Sequence, residues 1–295
     1  MAPTSRKALA AYLGLTLGFS AVFWAFIIWS KHLGGGFGLY VLGLMWSPGA
    51  AALLTCRILK RDLRSLGWTW PQRQYVLLSY FLPLAYAAFA YGAVWITRQG
   101  GFNSEFVTKI ASIFGLRGMP RAGVLALYLL LSSTVGMIRS LSSALGEEIG
   151  WRGFLVPELA KATSFTKLSL ISGVIWAAWH SPILLFADYN AGTNRWYALA
   201  CFTVMVVSIS FVFAWMRLKS GSLWTGAILH ASHNLFVQGV FDQLMRDTGR
   251  TLWFTTEFGA ALALSSVVFA VIFWAKRKEL SYSNAEAQAA IAVAR

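Results

Sequence analysis

Apolar runs of about twenty residues recur along the whole chain, separated by short polar loops. A run of that length, wound as an α-helix, reaches across the ~30 Å hydrocarbon core of a bilayer. The pattern predicts eight spans, over 8–29, 37–56, 75–96, 122–145, 168–186, 196–216, 223–240 and 258–275, with Pro48 and Pro83 inside the second and third. The expected fold class is therefore all-α, a polytopic transmembrane helix bundle. It reads as a single transmembrane domain over 1–295, with accessory helices in 1–121, the chemistry in 122–240 and a polar, alanine-rich tail in 279–295. The start of the chain, Arg6 and Lys7 before an apolar run, has the outline of a signal peptide. It lacks a small-residue cleavage site and is long enough to span, so it is kept as a helix. Outside the spans, 103–116 sets Phe106, Ile110, Ile113 and Phe114 at helical spacing, which predicts an amphipathic surface helix. The stretch from Phe154 to Ala160 is expected to lie at the membrane interface.

Composition agrees with the pattern. Of 295 residues, 57% are apolar and only 12% charged, about half the charged fraction of a soluble domain. The net charge of +14 is not the mark of a nucleic-acid binder, because Lys and Arg sit in short runs between apolar segments rather than on a polar face. With the N-terminus inside, 14 Lys and Arg residues fall on the inner side and 8 on the outer, which favours both termini in the cytoplasm. Cys56 and Cys201 lie within apolar runs and read as small buried hydrophobes rather than a disulfide. There is no internal repeat and no glycine-rich phosphate loop.

Against this apolar background, Leu145-Gly-Glu147-Glu148-Ile-Gly-Trp-Arg152-Gly153 stands out. Ionisable groups at membrane depth cost roughly 2.5 kcal/mol or more on insertion scales and usually mark function. Glu148 and Arg152 are four apart and share a helix face, so they read as a structural salt bridge, while Glu147 is rotated away and free to face the interior. Three of the four histidines also lie in spans: His180, two residues before Pro182, and His230 and His233 beside Asn234. Pro182 is expected to leave carbonyls unpaired and open the helix toward water. His32, next to Lys31, reads as a solvated interfacial residue. Any one of these histidines alone is as often an interhelical hydrogen-bonding partner as a functional group. A carboxylate, two or three histidines and an amide on three spans together make a buried site. A Glu and a His can hold and deprotonate a water, and a His and an Asn can donate to an oxyanion, which describes hydrolysis of an amide bond. Alternatively Glu147, His180 and His230 could ligate zinc, although no H-E-x-x-H is present. Ser181 and Ser232 flank the histidines with no better claim to be nucleophiles.

These motifs, Glu147-Glu148-x-x-x-Arg152, Trp176-x-x-x-His180 and His230-x-x-x-Asn234, resemble those of the CAAX protease and bacteriocin-processing family, the Rce1-type and Abi-type intramembrane endopeptidases. The resemblance covers about 122–240. It implies a bundle with a cavity open toward the cytoplasm, Glu147 and His180 on the catalytic water, His230 and Asn234 at the oxyanion, and Glu148 and Arg152 in support. It leaves open whether zinc is used. It implies a peptide or membrane-protein substrate, prenylated in some members, within a lipid bilayer and without nucleic acid. Short loops point to a bacterial cell membrane. Trp176 departs from the phenylalanine common at that position, and His233 is outside the motifs. Two other classes fit the residues: a catalytically silent membrane partner that binds peptides, and a proton-coupled transporter, which the missing repeat disfavours.

Overall fold

The computed structural model describes residues 3–280. The predicted tail therefore falls, beyond Leu280, outside the described residues. Nine longer helices carry the described residues: α1 (Pro3–Ser30), α2 (Leu39–Ile58), α3 (Arg73–Ile96), α4 (Ser104–Ile113), a long helix α5 (Arg121–Ala160), α6 (Phe165–Phe186), α7 (Arg195–Ser220), α8 (Trp224–Phe236) and α9 (Ala260–Ala275). The only described strands are a two-residue antiparallel pair, β1 (Gly101–Phe102) and β2 (Met245–Arg246), which ties the loop before α4 to the chain after α8. The protein is an all-α bundle. Seven of its helices (all but α4 and α8) are long and apolar enough to cross a membrane. Large apolar side chains such as Leu17, Phe81, Phe89 and Val271 are exposed on their outer faces. In a membrane that surface meets acyl chains, so it needs no partner. The structure is that of an integral, multi-pass membrane protein.

Three expectations are corrected. The span over 122–145 does not end at the glutamate pair. The helix continues to Ala160, so Glu147 and Glu148 lie inside α5, and Phe154–Ala160 is its last part rather than a separate interfacial stretch. The continuation uses a wide π turn at Ile149–Leu155, just ahead of Pro157, whose missing N–H would break an ordinary ladder. The span over 223–240 is a helix, but not one of the seven apolar ones. Residues from Thr225 to His233 on α8 are all buried, because α8 packs against α3, α5 and α7 in the middle of the bundle. That central position is why it tolerates histidines. Finally, Pro182 does not open α6. The Ala178 carbonyl that it would leave unpaired accepts a hydrogen bond from the Ser181 hydroxyl at 2.7 Å. Ser232 is likewise committed, donating to the Tyr80 carbonyl of α3 at 2.5 Å. The predicted surface helix over 103–116 is α4, with the Asn103 side chain accepting from the Phe106 N–H at its start.

Candidate active site

Four helices bring the site together, and close backbone packing sets its depth. Gly146 on α5 lies against α2, where a β-carbon would stand 2.8 Å from the Met45 carbonyl oxygen. Gly226 on α8 does the same service on the other side, where a β-carbon would stand 2.7 Å from Glu148 Oε2. With α2 and α8 this close, the carboxylates of α5 are held away from lipid, and that of Glu147 faces a cavity of about 180 Å³. That is well beyond the ~10–15 Å³ needed to hold a water. Glu147, His180, His230 and Asn234 all line it, so residues 87 positions apart in sequence share one space. Its apolar wall comes from Leu44 and Met45 of α2 and from Met205, Ile209 and Phe213 of α7.

Glu147 is positioned by indoles. Its Oε2 accepts from Trp176 Nε1 at 2.7 Å and from Trp151 Nε1 at 3.1 Å. Oε1 has no protein partner among the described residues. Trp176 thus contributes a donor that a phenylalanine at this position would lack. His180 Nδ1 lies 2.9 Å from the Trp176 carbonyl, which can only accept, so Nδ1 carries the proton and Nε2 keeps its lone pair. Trp179, Tyr189 and Phe202 surround the His180 ring at centroid distances of 4.7, 5.9 and 5.0 Å.

Glu148 faces away from the cavity into a dry support. Its Oε1 accepts from Arg152 Nη1 at 2.9 Å and from His230 Nδ1 at 3.0 Å. The Arg152 guanidinium lies between two rings, 4.1 Å from the Trp176 centroid and 3.9 Å from that of Phe213. Its backbone carbonyl accepts from Arg217 Nε at 2.7 Å. Because an ionised Glu148 takes the Nδ1 proton of His230, the neutral imidazole presents an unprotonated Nε2, and only the imidazolium form can donate from that nitrogen. The Asn234 amide has no protein hydrogen-bond partner among the described residues.

The two histidine tautomers leave both Nε2 atoms free, as metal ligands need. Even so, no three His, Cys, Asp or Glu side chains among the described residues are grouped so as to hold a metal ion, the set Glu147, His180 and His230 included.

A second polar group in the same cavity escaped the sequence reading. Glu257, just ahead of α9, lines the cavity with His233. Its Oε1 accepts from His233 Nε2 at 2.8 Å, and its Oε2 accepts from Gln238 Nε2 at 2.8 Å and from the Tyr189 hydroxyl at 3.0 Å. Burial alone would raise the Glu257 pKa, but these hydrogen bonds, His233's foremost, bring it below the usual carboxylate value. Burial and the nearby Glu257 push the Tyr189 phenol well up, so it stays protonated and donates. Above this end, Asp188 accepts from the Leu33 N–H at 2.8 Å and pairs with His32 at 3.2 Å, binding the α1–α2 loop to the α6–α7 loop. His32 is thus a loop-to-loop tie as well as an exposed residue.

The fold and the site define a polytopic membrane protein with a carboxylate, two histidines and an amide enclosed in a cavity among its helices. The stretch that builds it is similar to a known family: the family model for type II CAAX prenyl endopeptidases, Rce1-like, matches residues 125–236. The chain is also similar to CAAX prenyl protease 2 of the archaeon Methanococcus maripaludis, with 30% identity over 102 residues. That alignment covers 32% of this chain and 36% of the relative, so the likeness spans about a third of the relative's length.

Proposed function

We propose that the protein is an intramembrane endopeptidase that hydrolyses a peptide bond with a water activated by Glu147 and His180. The observation that supports it most is the arrangement of free atoms. Glu147 Oε2 is filled by two indoles while Oε1 is open, and both histidines have Nδ1 committed and Nε2 free. A water between Glu147 Oε1 and His180 Nε2 gives its proton to Glu147 as its oxygen attacks the scissile carbonyl carbon. The carbonyl π electrons move to oxygen. The resulting oxyanion accepts from the Asn234 amide and from Nε2–H of His230 in its imidazolium form, whose charge Glu148 offsets. On collapse the C–N bond breaks and the proton on Glu147 passes to the departing nitrogen. The apolar wall of α2 and α7 suits an aliphatic side chain or a lipid chain attached to the substrate. The name of the archaeal relative, a prenyl protease, points to a prenylated peptide.

The test is cleavage of a quenched prenylated peptide by the detergent-purified protein and by Glu147→Gln and His180→Ala variants with wild-type melting profiles. Loss of at least 100-fold in kcat in both, with wild-type activity unaffected by a chelator, is the expected result. Full cleavage by either variant overturns the reading, and loss of wild-type activity on chelation overturns its metal-free form.

A further inference from the structure

Glu257 is an anion that the hydrolytic scheme leaves unused. It is buried, with 6% of its surface exposed, and it shares the cavity with Glu147. Its only ion-pairing partner among the described residues is His233. The hydrogen bonds decide the charge of that histidine. The Tyr86 hydroxyl is 2.5 Å from His233 Nδ1 and has no other acceptor among the described residues. If His233 were an imidazolium, both its nitrogens would donate and the Tyr86 proton would be stranded in a buried site, costing a hydrogen bond. With His233 neutral, Tyr86 donates to Nδ1, Nε2–H donates to Glu257 and every proton in the chain is used. Glu257 therefore keeps a full negative charge with only neutral donors around it. Asp242, nearby and bonded by the Tyr91 hydroxyl, supplies no compensation, since it is a carboxyl raised by burial to about 7. No Lys or Arg lines the cavity.

An anion enclosed at low dielectric without a counter-charge attracts a cation far more strongly than it would in water. The carboxylate also has capacity left. Three donors occupy a group with about four acceptor positions, and the vacant one is on Oε1. Gln238 adds a further acceptor. Its nitrogen is spent on Glu257, which leaves its side-chain oxygen free, and it is both exposed and cavity-lining, so the cavity reaches the surface beside Glu257. A planar guanidinium or an ammonium entering there meets two acceptors and a full charge.

We propose that Glu257 forms a specificity subsite for a cationic group of the substrate, an arginine or lysine side chain or a peptide's N-terminal ammonium, at the Gln238 end of the catalytic cavity. This rests on the reading of the cavity as a peptide site, and binding separates the two. The probes are nine-residue apolar peptides carrying one arginine, stepped through the sequence, and their citrulline counterparts, which keep the shape and lose the charge. Affinity is measured with the full-length protein in nanodiscs, independently of cleavage. At one position arginine should bind at least tenfold tighter than citrulline, about 1.4 kcal/mol. In Glu257→Gln that preference should fall below twofold while citrulline peptides bind as to wild type, which also reports that the variant is folded. Should that variant not fold, Glu257→Asp, which keeps the charge but retracts it, should show a preference reduced at least threefold. Equal binding of arginine and citrulline peptides to wild type overturns the subsite, as does a preference that survives in Glu257→Gln. Absence of binding by every peptide overturns the peptide-site reading itself, and the subsite with it.

Discussion

The buried pair of Glu148 and Arg152 permits a quantitative test of what supports the site. Both side chains are enclosed, with 0% and 3% of their surfaces exposed, and they meet at 2.9 Å. Removing one member of such a pair leaves a buried charge uncompensated and costs about 3–5 kcal/mol. The two substitutions should differ within that range. In Glu148→Gln the amide oxygen still accepts from Arg152 and His230, and Trp176 and Phe213 still sandwich the guanidinium, so the loss should be near 3 kcal/mol. In Arg152→Met the Glu148 carboxylate retains only His230, and its Oε2 already has no partner, so the loss should approach 5 kcal/mol. The double variant removes both charges and should cost about 2 kcal/mol or more less than the sum of the singles. Reversible unfolding of the four proteins in mixed micelles measures the cycle. A coupling below about 0.5 kcal/mol, the ordinary scatter of independent sites, would refute the reasoning. It would mean that the two rings and the backbone, not the ion pair, carry Arg152.

Trp176→Phe removes the 2.7 Å donor to Glu147 while keeping an aromatic ring beside Arg152. Since a hydrogen bond to a charged group is worth about 1.5–3 kcal/mol, kcat should fall roughly 10- to 100-fold with little change in KM, and an unchanged kcat would detach Trp176 from the base. Asp242 predicts a pH dependence of stability. Its pKa is raised by burial from 3.8 to about 7, so between those values the folded state binds more protons than the unfolded state. Stability from this group is then fully present below pH 3.8 and is lost as pH rises to about 7, at up to about 1.4 kcal/mol per pH unit. Asp242→Asn, which still accepts from Tyr91, should flatten the decline in unfolding free energy between pH 5 and 7.5; an unaltered slope counts against the assignment.

Much of the bundle was legible because membrane-spanning helices announce themselves by length and apolarity. What the pattern could not place was continuity across a helix. Hydropathy drops at Glu147 and Glu148, so the span over 122–145 read as finished, yet backbone hydrogen bonding does not depend on side-chain polarity. A π turn carries α5 through the charged stretch to Ala160. Periodicity did better where it encoded spacing. Residues four apart on one helix meet, so Glu148 and Arg152 were paired correctly from their numbers alone, and His180, His230 and Asn234 were grouped because polar residues in spans have few places to go.

Glu257 shows where such reasoning stops. It lies beyond α8 and one turn before α9, among loop residues whose charges are ordinarily solvated, and nothing in its neighbours marks it as buried. Its environment is made by three separate parts of the chain: His233 and Gln238 from α8 and its continuation, Tyr189 from the α6–α7 loop, and α5, whose Glu147 shares the cavity. His233 offered the one available signal. It is a histidine on the most enclosed helix, three residues from His230, and a buried imidazole needs an acceptor that α8 itself does not supply. An ionisable residue left without a partner on its own span is thus a reason to look for that partner in the loops that cap the bundle, and here the cap holds the cavity's second carboxylate.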